Sequence, residues 1–377
     1  NLHRAKVQIG RMYKESRAFP EAETALKEVI AADANYGPAY REIAELYMQW
    51  ANFEPQSFDA KAASAIENYK KYLDLTDKSF ESRLRYAQFL FYAKDYTTLE
   101  QEATALASVS KDDPKAPVVL RMRGYSAYEN KNYPQSLQYM KDFFASIKDT
   151  SRIVGSDYLY LGKAYLQSGN NDLAVENLVK AVQKDSSNVE ALAEIAKSYY
   201  DAKDYEKAMS TYELVNKYNA NGKGSLYNYY YHGLASYFFY AKGYNAKTNP
   251  SKDILVKADS SFATLAKLSP TTIDAYLWRA RVNYFKDSET APQGIYIPYY
   301  QQYLDSAEVQ VDKQTPAVKK NMVEAYNSIG GFAFSKGDKT KAKLYWDKAL
   351  AIDPQNATAL EGVKSLSAPA RAGTKKK

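Results

Sequence analysis

Residues 227–244, YNYYYHGLASYFFYAKGY, contain seven tyrosines, two phenylalanines and one of the two histidines of the chain. Aromatic rings at this density can bind a protein partner, stack on nucleic-acid bases or pack a helical core. His232 is the residue of this stretch that could act in acid–base chemistry or bind a metal. Its role depends on which other reactive residues the sequence offers.

Few of the residue types that catalysis requires are present. A histidine base needs an oriented partner and a nucleophile, and a zinc site needs further His or Cys ligands. The other histidine is His3, and the sequence has no cysteine. GKGS at 222–225 lacks the spacing of a phosphate-binding loop. We therefore predict no catalytic residues, no metal, no cofactor and no small-molecule substrate, so the chain is not an enzyme and His232 is a packed structural residue.

The charge distribution bears on nucleic-acid binding. The formal net charge is +7, and the last residues of the chain, ARAGTKKK, carry part of it. Elsewhere Lys and Arg alternate with Asp and Glu, as in SKDDPK and DAKDYEKA. Nucleic-acid binders usually concentrate basic residues on one face. The pattern predicts a mixed, solvated surface and disfavours nucleic acid as a partner.

The chain contains a repeat. Residues 155–188, 189–222 and 323–356 align without gaps, each with two helix-periodic stretches around a polar turn: SGNN, AKDY and SKGD. Small residues recur at one site of the first helix and one of the second: Gly162, Ala196 and Gly330, then Ala174, Ala208 and Ala342. Small side chains let two helices approach closely, and Leu178, Tyr212 and Trp346 supply the large partners. Each unit is predicted to be a helical hairpin.

This pattern resembles the tetratricopeptide repeat family. The motif is large-x-x-large-small-x-x-aromatic in helix A, with Ala and a large residue in helix B, and the last copy ends in Asp353-Pro354. The resemblance implies an all-α fold, a right-handed superhelical solenoid of stacked antiparallel helical hairpins. Weaker copies extend it to about nine repeats over 3–356, at about 3–36, 37–79, 80–116, 117–154, 155–188, 189–222, 226–272, 273–322 and 323–356. A capping helix at 357–366 and a basic disordered tail at 367–377 are expected to follow.

Some repeats depart from the family pattern. Arg83, Arg123 and Arg279 occupy positions where a large apolar residue is expected, which predicts repeats that are shifted or loosely packed. Insertions near 51–59, 241–253 and 286–298 separate helix A from helix B. They are expected either to lengthen helices and form solvated loops or to project together as a binding face.

In this family, outward residues of helix A line a concave groove. The resemblance assigns that role to Arg121, Tyr125, Tyr128, Lys163, Lys197, Tyr200, Tyr230, Tyr237, Arg281 and Tyr284. Tyrosine with interspersed Arg and Lys is typical of protein interfaces. The alternative is a general aromatic bias, since the chain has 36 tyrosines in 377 residues. We predict that these side chains face solvent in the free protein and bind a protein or peptide.

The sequence therefore predicts a non-catalytic protein–protein interaction scaffold. One alternative is a structural subunit of a cell-envelope assembly or transport machine, and a less favoured one is nucleic-acid binding. The absence of cysteine suits an oxidising compartment, and the N-terminus lacks an initiator Met and an apolar signal core. We expect an extracytoplasmic location, periplasmic or envelope-associated after removal of a leader, with the cytoplasm as the alternative. The sequence has no apolar run of the length that spans a bilayer, about 18 residues.

Overall fold

The computed structural model describes residues 2–109, 113–222, 224–310 and 314–367. Within these ranges the chain forms 19 α-helices and three short 3₁₀ turns, and no β-strand. The helices are α1 (Leu2–Glu15), α2 (Phe19–Ala32), α3 (Gly37–Phe53), α4 (Phe58–Asp74), α5 (Phe80–Tyr92), α6 (Tyr96–Val109), α7 (Ala116–Glu129), α8 (Tyr133–Ser146), α9 (Gly155–Gln167), α10 (Asn171–Lys184), α11 (Val189–Asp201), α12 (Tyr205–Tyr218), α13 (Ser225–Asn245), α14 (Asp253–Leu268), α15 (Ile273–Lys286), α16 (Ile297–Val309), α17 (Pro316–Ser335), α18 (Lys339–Ile352) and α19 (Ala357–Leu366).

From α1 to α18, consecutive helices pair as hairpins, each odd-numbered helix serving as helix A and the next helix as helix B, and α19 packs against α18. The predicted all-α solenoid of stacked helical hairpins is confirmed. Helix α17 begins at Pro316, inside the range predicted for the preceding repeat. Apart from Ser367, the predicted basic tail lies outside the described residues. The chain divides into two compact units, α1 to α10 up to Asn188 and α11 to α19 from Val189.

Six of the described hairpins, those without an insertion, share a tight turn between helix A and helix B. It contains one residue with a left-handed backbone, and φ lies between 60° and 84° at Arg17, Lys94, Lys131, Gly169, Lys203 and Gly337. The following N–H closes the end of helix A, as when Asn132 donates to the Ala127 carbonyl at 2.7 Å. The residue at the equivalent position of another hairpin, Asp338, caps the start of helix B, because its carboxylate accepts the Lys341 N–H at 2.9 Å. Turn sequences such as AKDY and SKGD therefore specify the hairpin locally.

The small-residue sites allow close helix approach. A Cβ placed on Gly162 of α9 would lie 2.8 Å from the Leu178 side chain of α10. A Cβ on Gly233 of α13 would lie 2.6 Å from the Phe262 ring of α14. Leu178 and Phe262 are completely buried. The glycines thus let a large residue of helix B fill the space where helix A has no side chain.

The three arginines at apolar positions keep their repeats in register. The Arg123 guanidinium stacks 3.9 Å from the Tyr139 ring, and the Arg279 guanidinium lies 4.2 Å from the Tyr299 ring. Arg83 pairs with Glu102 at 2.7 Å. Gly124 remains buried beside Arg123, so the side chain of Arg123 covers core without displacing it. The expected shift of these repeats is therefore not observed.

The insertions mainly lengthen helices and form loops. Helix α3 continues to Phe53 and α13 to Asn245, so much of the first two insertions is helical. The third forms the 287–296 loop between α15 and α16. Tyr244 at the end of α13 donates its hydroxyl to the Glu289 carboxylate of that loop at 2.9 Å, so the second and third insertions meet.

Candidate functional site: an aromatic surface on α11, α13 and α15

The aromatic run at residues 227–244 lies on α13. Tyr230, Tyr231, Leu234, Tyr237 and Phe238 follow helical spacing and form one stripe along the helix. Leu234 is only 5% exposed, whereas the four rings around it are half-buried. Leu234 therefore packs into the core under these rings.

Rings from the neighbouring A helices extend this stripe. The Tyr231 ring meets the Tyr200 ring of α11 edge-on, with centroids 4.9 Å apart. On the other side, Tyr237 and Phe238 meet the Trp278 ring of α15 at 5.2 and 5.8 Å. We call the half-buried set Tyr200, Tyr230, Tyr231, Tyr237, Phe238 and Trp278 the aromatic surface.

A cationic side chain lies at each end of the aromatic surface. The Lys197 ammonium of α11 is 5.2 Å from the centre of the Tyr231 ring, and the Arg281 guanidinium of α15 is 4.6 Å from the Trp278 ring. Arg281 also forms two hydrogen bonds with Glu324 of α17, at 2.6 and 2.9 Å. Cations above aromatic faces are stabilising and leave ring edges available for further contacts.

The phenols of Tyr200, Tyr230 and Tyr237 are neutral at physiological pH. Burial raises the pKa of Tyr200, Tyr230 and Tyr237 above the ordinary value of a tyrosine. Neutral rings that combine an apolar face with a hydroxyl are the side chains that protein interfaces favour. Of the predicted groove residues, the structure thus brings together Lys197, Tyr200, Tyr230, Tyr237 and Arg281.

In the first unit, two predicted groove residues bind a buried carboxylate instead. Asp157 of α9 is 0% exposed and accepts two hydrogen bonds from Arg121 of α7, at 2.7 and 2.8 Å. The Tyr125 hydroxyl donates to the same carboxylate at 2.7 Å, and its ring stacks 4.1 Å from the Tyr160 ring. The expectation that Tyr125 faces solvent is wrong, because the side chain is 2% exposed and paired with Asp157.

The remaining predicted residues lie outside the aromatic surface. Tyr128 and Lys163 are half-buried, and the Lys163 ammonium is 5.9 Å from the Tyr128 ring. Tyr284 is 58% exposed and borders a cavity beside the 287–296 loop. These three residues therefore do not extend the aromatic surface.

Sequence reasoning missed Tyr231 and Trp278 as surface residues. For Tyr231 a usable signal was present, because Tyr227, Tyr231 and Phe238 follow helical spacing along α13. The position of Trp278 depends on how α15 of the next hairpin packs against α13, and spacing within one helix carries no information about that contact.

His232 has the predicted structural role. Its Nδ1 lies 2.6 Å from the Ser261 Oγ of α14, and the histidine is 6% exposed. Burial lowers the pKa of His232 to about 4, so the imidazole is neutral at physiological pH. Ser261 is itself buried, which leaves this pair inside the core. Across residues 2–109, 113–222, 224–310 and 314–367, no group of three or more His, Asp or Glu side chains is placed to hold a metal ion.

None of the described helices has the length and apolar character needed to span a membrane.

Helical hairpins that follow one another along the chain make this a helical-repeat protein. Models of the tetratricopeptide repeat family match residues 165–225 and 323–356, so these two segments of the chain are tetratricopeptide repeats. Such repeats support a protein-interaction scaffold as the general function.

Three comparisons place parts of the chain beside other proteins. It is 33% identical over 78 residues to the uncharacterized protein ycf37 of Pyropia yezoensis, a match that covers 21% of this chain and 44% of that protein. The C-terminal part of a TPR repeat-containing protein from Cytophaga hutchinsonii is 26% identical with a TM-score of 0.44, covering 74% of this chain and 99% of that one. PilW, a type IV pilus biogenesis factor, is 14% identical with a TM-score of 0.45, covering 60% of this chain and 97% of that one.

Proposed function

We propose that this protein is a non-catalytic interaction scaffold that binds a protein or peptide segment over the aromatic surface. The observation that carries the proposal is the row of six half-buried rings from three successive A helices, with Lys197 and Arg281 at its ends. Partly exposed Tyr, Trp and Arg side chains are the types that dominate binding energy at protein interfaces.

The rings are held in place before a partner arrives. Tyr237 has edge-on contacts with Phe238, Trp278 and Phe285, at 5.4, 5.2 and 5.8 Å. Side chains already fixed by their neighbours lose little conformational freedom on binding. The bound segment would cover ring edges that now face water, and its acidic groups would lie near Lys197 and Arg281.

The test begins with affinity purification and mass spectrometry to identify a partner, followed by binding measurements with the purified pair. We expect Tyr200→Ala and Tyr237→Ala to weaken binding by about tenfold or more each, since truncated interface anchors cost about 2 kcal/mol. Tyr92→Ala is the matched control, because Tyr92 of α5 is exposed and lies outside the aromatic surface. Equal affinity per folded molecule for wild type and both surface variants would overturn the proposal.

Nucleic acid is a rival partner for aromatic and basic side chains. Binding carried by phosphate contacts falls steeply as salt increases. A labelled single-stranded oligonucleotide titrated at low and high salt separates the two functions. Tight binding that is lost with salt and weakened by Lys197→Ala would favour nucleic acid, whereas the proposed scaffold predicts no such binding.

We also propose an extracytoplasmic location, periplasmic or envelope-associated, in which the scaffold is a subunit of an envelope assembly or transport machine. The support is the absence of cysteine from all 377 residues, which suits an oxidising compartment. Fractionation of the source cells with an antibody to this protein tests it. Recovery with cytoplasmic markers would contradict this location and leave the scaffold proposal untouched.

A further inference from the structure

A second site lies in the second unit, where the two long insertions meet. Aromatic side chains from the end of α13, from α15 and its loop, and from α17 surround a cavity of about 520 Å³. We call it the loop pocket and define it by Tyr244, Tyr284, Phe285, Glu289, Tyr296 and Phe332. Its rings are distinct from those of the aromatic surface.

The loop wall of this pocket is fixed by its own backbone. The Asp287 carboxylate, 6% exposed, accepts the N–H groups of Ser288, Gln293 and Gly294 at 2.8, 2.9 and 2.7 Å. These bonds lower the pKa of Asp287 against the opposing effect of burial. Lys336, which directly follows α17, donates to the Pro292 carbonyl at 2.8 Å and holds the loop against the end of α17. The pocket is therefore formed before any ligand binds.

Neighbouring rings of the loop pocket are oriented nearly perpendicular to one another. Tyr284 and Tyr296 have centroids 5.2 Å apart at 67°, and Tyr296 and Phe332 are 6.1 Å apart at 72°. Tyr244 and Phe285 are 5.3 Å apart at 68°. Rings arranged in this way present several π faces and edges to one cavity that is open to solvent. A cation there is attracted by the faces of the rings.

The charged residues that line the loop pocket also attract a cation, and the Lys336 ammonium lies outside that lining, 5.2 Å from the Phe332 ring. Of the residues that line it in the described chain, the charged ones are Asp287 and Glu289, both acidic. Asp287 is engaged by backbone N–H groups, so Glu289 is the carboxylate available to a ligand. Tyr244 holds Glu289 in position at 2.9 Å.

The chain itself shows that such a combination accepts a guanidinium. Arg281 lies over Trp278 at 4.6 Å while it pairs with Glu324, and Arg279 lies over Tyr299 at 4.2 Å while it pairs with Asp259. In both cases a guanidinium uses an aromatic face and a carboxylate together. Arginine is suited to this because its planar group stacks on rings and donates two parallel hydrogen bonds.

We propose that the loop pocket binds an arginine side chain of a partner peptide, with the guanidinium paired to Glu289 and stacked on Tyr284. This rests on the proposed function as a scaffold for a protein or peptide, and it adds a second point of recognition. A partner held at the aromatic surface and at the loop pocket would gain affinity through the second contact without any change of fold.

The test uses the full chain and N-acetyl-arginine N-methylamide as the probe, with affinity measured by saturation-transfer NMR titration. The citrulline analogue has the same shape without the charge, and we expect it to bind at least fivefold more weakly. Glu289→Gln and Tyr284→Ala should each weaken arginine binding at least threefold, whereas Tyr284→Phe keeps the ring and should retain it. Glu361→Gln, which changes an exposed carboxylate of α19, is the matched control and should match wild type.

Equal binding of arginine and citrulline probes, or equal affinity of wild type and Glu289→Gln, would overturn the loop-pocket proposal. Circular dichroism of each variant verifies folding, and the exposure of Glu289 and Tyr284 leaves the core unaffected by these changes. Because the probe is a small molecule and the aromatic surface is intact in every variant, failure here leaves the scaffold function standing. The scaffold proposal is overturned only if Tyr200→Ala and Tyr237→Ala leave partner affinity unchanged.

Discussion

Arg281 of α15 and Glu324 of α17 form a two-point ion pair, with the guanidinium nitrogens 2.6 and 2.9 Å from the two carboxylate oxygens. Tyr300 of α16 donates its hydroxyl to the same carboxylate at 2.8 Å. Three successive helices are therefore joined through one carboxylate. In the first unit Asp157 of α9 accepts from Arg121 and Tyr125, both of α7, and so joins two successive A helices.

Arg281→Ala should lower stability, contrary to the sequence-based expectation that this residue serves the groove alone. We expect the free energy of unfolding to fall by about 2 kcal/mol, less than for a fully buried pair because Glu324 keeps 36% exposure and water screens the interaction. Urea denaturation measures it. Lys343→Ala removes an exposed pair with Asp347 and should cost about 0.5 kcal/mol or less. Equal effects of the two variants would contradict the structural role of Arg281.

The same ion pair has a pH dependence with a definite sign. Burial tends to raise the pKa of Glu324, but the hydrogen bonds and charge of Arg281 outweigh it, and the pKa is lowered. A carboxyl with a lowered folded-state pKa contributes stability above the ordinary glutamate pKa and loses it as pH falls through the folded value. The difference in unfolding free energy between wild type and Arg281→Ala should therefore be largest near neutral pH and shrink in acid. A difference that grows in acid would refute this assignment.

We expect the free energy of unfolding to decrease in mild acid because of His232. Its folded-state pKa of about 4 lies below the ordinary value of 6.5, so the unfolded chain binds the proton first as pH falls. The stability is complete above the ordinary pKa and decreases between the two values, by about 3 kcal/mol in total. His232→Gln, which stays neutral, should lack this component in urea titrations at several pH values. His3→Gln is the control and should retain it. Parallel pH profiles for all three proteins would show that His232 is not responsible.

Two helix-interior glycines should respond in opposite ways to alanine. A Cβ on Gly233 would lie 2.6 Å from the Phe262 ring, so Gly233→Ala should destabilise by about 1–3 kcal/mol. Gly331 of α17 has no such neighbour within 4 Å, and Gly331→Ala should stabilise by up to about 1 kcal/mol through helix propensity. Thermal unfolding of both variants checks the contrast. A stabilised Gly233→Ala protein would mean that α13 and α14 can move apart freely.

Lysines with a left-handed backbone conformation in the hairpin turns are positions where substitution should stabilise the protein. Lys131 and Lys203 have φ of 65° and 60°, a region that costs residues with a Cβ about 1–2 kcal/mol. Lys131→Gly and Lys203→Gly should each stabilise by about 0.5–1 kcal/mol, since the larger entropy loss of glycine offsets part of the gain. Lys131→Ala loses the same charge but keeps a Cβ, and it should give no gain. An equal rise in Tm for the glycine and alanine variants would trace the effect to charge.

The hairpins could be predicted from sequence because their determinants are local. The turn sequence AKDY contains both the left-handed Lys203 and the helix-capping Asp204, whose carboxylate accepts the Lys207 N–H. The stripe of rings on α13 also follows from helical spacing within one segment. These features need no knowledge of other repeats.

Whether each tyrosine is buried or exposed could not be predicted in the same way. The sequence predicts an outward position on helix A for both Tyr125 and Tyr230, yet Tyr125 is buried against Asp157, which lies 32 residues further along. Whether a hydroxyl faces solvent or a carboxylate depends on the neighbouring hairpin. The loop pocket likewise arises from the meeting of Tyr244 and Glu289, which belong to different insertions.

The hydrogen bonds between hairpins join residues that are close in sequence: Arg121 and Asp157 are 36 residues apart, and Tyr244 and Glu289 are 45 apart. Each hairpin can therefore gain its partners soon after it leaves the ribosome. At about 5–20 residues per second, a repeat of 34 residues is synthesised in roughly 2–7 s. Folding can then follow translation from one hairpin to the next, and the apolar face that each new hairpin leaves uncovered is exposed for only that interval.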